Sequence, residues 1–140
     1  MRVGANAGVR ETRRVIGEYV LGIEDAINDT EFPDVIARRY GAVDVAGLQE
    51  DRDYKKMMKS GYGYPYRGLI PLKVEQLLVA GRCGSYTHLG MAAGKSMGNM
   101  MALGQAAGIA AALSSKRGIA PRVLPAAEVQ KVLAEWGVKL

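Results

Sequence analysis

The residues with chemical potential gather in one stretch of the chain. Leu77-Leu78-Val79-Ala80-Gly81 is a continuous apolar run closed by glycine, which is how a strand buried on both faces reads. Arg82 and Cys83 follow it, and a Gly/Ser/Thr-rich loop continues to Gly94. Inside that loop, Ser85-Tyr86-Thr87-His88 carries the one histidine of the chain. Imidazole titrates near neutral pH, so His88 is a candidate proton donor or acceptor. A loop histidine held in a structural hydrogen bond is the other reading, and both stay open. Met97, Gly98 and Asn99 then open an uncharged helical stretch. In open α/β sheets, ligands bind beyond the carboxyl ends of the strands. The first turn of a helix adds unpaired N–H groups and partial positive charge. An electron-rich ligand edge suits that place, and Gly98 removes the side chain that would stand in its way.

Other groups are less specific. Cys83 is the single cysteine, which excludes an internal disulfide, a redox dithiol and a Cys-rich zinc site. It is expected to pack beside a ligand. No second histidine or nearby acidic cluster supports metal ligation by His88. Arg10, Arg13 and Arg14 suit ion pairs with carboxylates, a phosphate or a neighbouring chain. Tyr62, Tyr64 and Tyr66 suit either a ligand-lining role or a turn packed by its own rings.

The elements that position these groups can be read along the chain. Val15, Ile16, Tyr19, Val20 and Leu21 suit a strand. Residues 24–28 look like a short helix, and residues 32–39 like another helical turn or two with Pro33 near the start. Val43, Val45 and Leu48 suggest a short strand, and residues 51–59 a loop or frayed helix. Residues 61–66 carry turn chemistry, and 67–71 an extended piece. Residues 96–116 form a helix stopped by Gly118, with Pro121 beyond it. Gly104 and Gly108 lie one turn apart on it and suit close helix–sheet packing. A last amphipathic helix over 125–135 turns Val129, Val132, Leu133 and Trp136 to its apolar side. The sum is a mixed α/β (α+β) chain, a single domain over residues 1–140, built around a buried strand–loop–long helix unit.

Composition narrows the function. Eighteen glycines are about twice the usual share and favour tight turns around a ligand over disorder. A formal net charge of +5 is scattered in small knots at Arg13-Arg14, Arg38-Arg39 and Lys55-Lys56. A nucleic-acid binder would collect it on one face. The uncharged residues 96–115 approach bilayer-spanning length, but Gly, Ala and Ser dominate them, so a buried helix outweighs a span. Met1-Arg2 leads into small residues and not into an apolar signal segment. A cytoplasmic location is expected.

Four segments occur in order: Gly8-Val9-Arg10-Glu11-Thr12-Arg13-Arg14-Val15-Ile16-Gly17-Glu18-Tyr19, Pro65-Tyr66-Arg67, Leu77-Leu78-Val79-Ala80-Gly81-Arg82-Cys83 and Ala102-Leu103-Gly104-Gln105-Ala106-Ala107-Gly108. Together they resemble the C-terminal part of the FAD-dependent oxidoreductases of the glutathione-reductase-like type. The resemblance implies FAD as cofactor. It places Gly81, Arg82 and Cys83 beside the ribityl and phosphate part, and Met97, Gly98 and Asn99 at the pyrimidine edge of the isoalloxazine. No Gly-x-Gly-x-x-Gly unit after a first strand is visible. The resemblance therefore implies a second flavoprotein subunit, or a further N-terminal region, that holds the adenine half. The chain is then a subunit or fragment in a hetero-oligomer, taking hydride from a small organic substrate and inactive alone. Family members carry a second histidine, an arginine and a proline where this chain has Met91, Lys95 and Gly98, which leaves the substrate chemistry open. The rival readings are an assembly or regulatory subunit without its own cofactor, and a small membrane subunit.

Overall fold

The computed structural model describes residues 11, 13–40 and 61–140. The short strand suggested at Val43, Val45 and Leu48, and the loop or frayed helix at 51–59, lie outside them.

Residues 15–21 do not form the expected strand; the segment bends at 18–19 and makes only two isolated bridges. Gly17 makes an antiparallel bridge to Pro71 and Leu21 a parallel bridge to Tyr86. Ser85 staples this segment. Its hydroxyl donates to the Tyr19 carbonyl at 2.6 Å and accepts from the Gly17 N–H at 2.9 Å. Helix α1 (Ile23–Ile27) follows. The Asp25 carboxylate accepts from the Gly22 N–H at 2.8 Å and from the Tyr19 hydroxyl at 2.7 Å. It thereby satisfies a donor at the helix start and ties the entry segment to it.

Strand β1 (Val35–Arg39) pairs antiparallel with β2 (Tyr62–Pro65), with an irregularity between Val35 and Ala37. This corrects the helical reading of residues 32–39 and the turn reading of 61–66. Val35 and Ile36 are β-branched and favour extended backbone. Their pairing partner lies far along the chain, so local pattern alone could not supply it. A short 3-10 turn, Tyr66–Leu69, replaces the extended piece expected after Tyr66.

Residues 82–94 are not all loop. Thr87 caps helix α2 (His88–Ala92), its hydroxyl accepting from the Gly90 N–H at 3.1 Å. Helix α3 (Met97–Arg117) is the longest element. It ends at Gly118 in the left-handed conformation, φ 65°, with Lys116 and Arg117 in its last turn, where cations complement the helix dipole. After a 3-10 turn, Pro121–Val123, comes helix α4 (Ala126–Glu135). Val129 and Leu133 are buried as expected, while Trp136 is 64% exposed.

The core lies between the β1–β2 ribbon and the inner face of α3, where Leu103, Ala106, Ile109 and Ala110 meet Ile36, Tyr62, Tyr64 and Leu69 in one cluster. Two hooks close the far end. Gln130 Nε2 donates to the Pro33 and Val35 carbonyls, both at 2.9 Å, and the Tyr66 hydroxyl donates to the Pro121 carbonyl at 2.8 Å. Among the described residues, no helix is long and apolar enough to cross a membrane.

Candidate functional site

The stretch 77–81 is not the doubly buried strand its composition suggests. Leu77 is 43% exposed, Leu78, Val79 and Ala80 are half-buried, and the run belongs to no strand. Its ladder bond is Val79 N–H to the Leu69 carbonyl, 2.8 Å. Hydrophobicity sets a preference for burial, but a strand also needs neighbours on both edges, and the described residues place none there.

Gly81 turns the chain with φ +103°, and a Cβ there would meet nothing within 4 Å. Its carbonyl accepts from the Tyr86 hydroxyl at 3.1 Å and from the Gly84 N–H at 3.0 Å. Arg82 is exposed. Cys83 is exposed too, its thiol 3.8 Å from the Ala80 carbonyl, and its own carbonyl accepts from the Val15 N–H at 2.9 Å.

The amino end of α3 is open. Ser96 forms no side-chain cap, and Met100 N–H to the Ser96 carbonyl, 3.0 Å, begins the ladder. The N–H groups of Met97, Gly98 and Asn99 precede that first bond. Met97 is 78% exposed, a Cβ at Gly98 would meet nothing within 4 Å, and the first turn carries no acidic residue. The side chain of Asn99 faces the other way. Its amide donates to the carbonyls of Tyr40 at 2.7 Å and Gly94 at 3.2 Å, and its oxygen accepts from the Tyr40 N–H at 3.2 Å. Asn99 is buried, and its side chain clamps the helix start to the end of β1.

Gly104 and Gly108 also differ from expectation. A Cβ at either would touch nothing within 4 Å, so neither glycine serves close packing among the described residues. Together with Ala112, Val132 and Trp136 they line an apolar groove of about 380 Å³.

His88 does not stand alone. Its Nδ1 lies 2.6 Å from the Glu11 carboxylate, which also pairs with Arg14. The carboxylate on Nδ1 holds the orientation of the ring. The pair joins residues 77 positions apart, so spacing could not announce it. Among the described residues, no group of three or more His, Cys, Asp or Glu is arranged to hold a metal.

One residue escaped sequence reasoning. Arg39 is wholly buried, and its Nε, Nη1 and Nη2 have no hydrogen-bond acceptor among the described residues. Its guanidinium lies over the rings of Tyr86, Tyr62 and Tyr64 at 4.9, 5.4 and 5.7 Å from their centroids. Burial pushes the phenol pKa of all three tyrosines up, and the nearby guanidinium opposes that rise. Each ring contributes about 0.5–2 kcal/mol of cation–π attraction. Burying an ion costs several kcal/mol, so the rings offset only part of it. The only sequence signal was the basic doublet Arg38-Arg39, which looks like a solvated knot. Arg39 also connects the two groups of candidate residues. Tyr86 bonds Gly81 and lies under the guanidinium, and a Cβ at Gly94 would come within 2.3 Å of Arg39. Gly94 in turn bonds Asn99.

The described residues define the class, a mixed α/β protein whose longest helix starts without a side-chain cap, beside a glycine. The family comparison gives that class its identity: the model of the FAD dependent oxidoreductase family matches residues 1–133, and the chain belongs to this family. FAD is the cofactor of the family. No curated protein and no solved structure matches the chain. The amino end of α3 is compatible with a flavin: among the described residues its first turn carries N–H donors and no carboxylate, and a Cβ at 81 or 98 would meet nothing within 4 Å.

Proposed function

We propose that the chain supplies the isoalloxazine and ribityl side of the FAD site of a cytoplasmic, glutathione-reductase-like oxidoreductase. A polypeptide carrying a Gly-x-Gly-x-x-Gly unit completes it, as a second subunit or a further region of the same protein. The bound flavin supplies the hydride acceptor for a small organic substrate. The residues of this chain orient and stabilise. The N–H groups of Met97, Gly98 and Asn99 face the electron-rich pyrimidine edge, where a helix start favours negative charge. Gly81, Arg82 and Cys83 line the ribityl chain. His88, held by Glu11, keeps or releases a proton at Nε2.

The observation that carries this reading is the uncapped start of α3, where a Cβ at position 98 would meet nothing within 4 Å among the described residues. It is tested by co-expressing the chain with the neighbouring reading frame that carries the nucleotide-binding unit. The purified complex is expected to be yellow. Gly98→Val should leave the chain folded, because its side chain points into open space, and weaken flavin retention by about tenfold or more. A colourless complex, or a Gly98→Val complex that keeps its flavin undiminished, would favour an assembly subunit without cofactor.

A further inference from the structure

A guanidinium withdrawn from water needs an acceptor for its donors. Arg39 is at 0% exposure, and none of its three nitrogens has one among the described residues. Its cross-strand partner Tyr62 is 1% exposed, and its hydroxyl is also buried and without a partner. Two buried donor groups on paired positions of one ribbon therefore share the same deficiency. Among the described residues, the groups around the guanidinium carry no compensating charge. They are the rings of Tyr62, Tyr64 and Tyr86 and the backbone of Gly94. Stacking on rings occupies the faces of the guanidinium and leaves its edge, where the N–H groups point, unmatched.

We infer that Arg39 is the seat of a binding site for the carboxylate of a small organic acid. A planar carboxylate accepts two parallel N–H bonds from the guanidinium fork, and its charge cancels the buried cation. Aromatic walls exclude water from such a pair and strengthen it. Identifying this acid as the substrate rests on the flavin reading above; the carboxylate site itself does not. Gly94, which packs on the guanidinium, lies two residues before the cap of α3. A carboxylate held at Arg39 would thus anchor the far end of a substrate near the proposed flavin edge.

The test uses the full chain without flavin, with sodium acetate and sodium succinate as probes and sodium chloride at matched ionic strength as control. Thermal midpoints are read by circular dichroism, and the arginine Nε–H resonances by NMR. The carboxylates are expected to raise the wild-type midpoint saturably, by on the order of 5 °C at tenfold excess over the dissociation constant. One buried Nε–H signal should shift, in slow exchange because the enclosure must open to admit the ligand. Arg39→Met should stay folded without carboxylate and lose the saturable response. Arg39→Lys, which keeps the charge but not the fork, should retain only a small part of it, and it supplies the reading if the methionine variant does not fold. An unresponsive wild-type midpoint, or an equal response in both variants, overturns the inference. A positive response in a chain that forms no yellow complex leaves the carboxylate site standing and removes the flavin reading.

Discussion

At the scale of single residues, Gly90 has the closest fit of the glycines among the described residues. A Cβ there would stand 2.2 Å from the Leu21 carbonyl oxygen, which already accepts the Thr87 N–H at 2.9 Å. Gly90→Ala must therefore push α2 away from the entry segment. A loss of roughly 1–3 kcal/mol, the usual range for overpacking, is expected in urea unfolding. A variant as stable as wild type would show that α2 shifts without cost. Sequence reasoning found His88, because a single histidine in a polar loop is conspicuous. It could not find Glu11 as its partner or Arg39 as a buried cation, since both depend on contacts far along the chain.

At the scale of elements, punctuation was legible and pairing was not. Gly118 and Pro125 marked the end of α3 and the start of α4 to within a residue or so, because left-handed glycine and helix-starting proline act locally. The β1–β2 ribbon was read as helix and turn, because strand pairing is a long-range decision. The run 77–81 was read as buried from hydrophobicity alone, yet Leu77 and its neighbours remain partly open. What holds α3 in place is the Asn99 clamp on Tyr40 and Gly94. Asn99→Leu removes three hydrogen bonds and leaves backbone groups of Tyr40 and Gly94 without partners. It should cost about 1–3 kcal/mol and speed hydrogen exchange at the first turn of α3 ahead of its later turns. Uniform exchange along the helix would contradict the clamp.

At the scale of the whole molecule, the tyrosines make stability sensitive to alkali. Burial, with a hydrogen bond to Asp25, pushes the Tyr19 phenol up to about 12, and burial beside Glu18 pushes Tyr66 up to about 12. Tyr62, Tyr64 and Tyr86 are raised as well, each chiefly by burial. A phenol in the unfolded chain ionises near pH 10. Between about pH 10 and 12 the unfolded chain therefore holds fewer protons than the folded one, and stability falls as pH rises. Below pH 10 the tyrosine contribution is fully present. Urea midpoints measured at pH 9 and pH 11, with tyrosinate absorbance followed in parallel, check this. A flat profile, or tyrosines that all ionise near pH 10 in the folded chain, would contradict it.

The contact between Gly94 and Arg39 also constrains how this protein can diverge. A Cβ at 94 would stand 2.3 Å from the buried guanidinium, so Arg39 or the backbone at 94 must shift to admit a side chain there. Shortening residue 39 would relieve that contact and make room for a side chain at 94. The two positions, far apart in the chain, are thus sterically coupled.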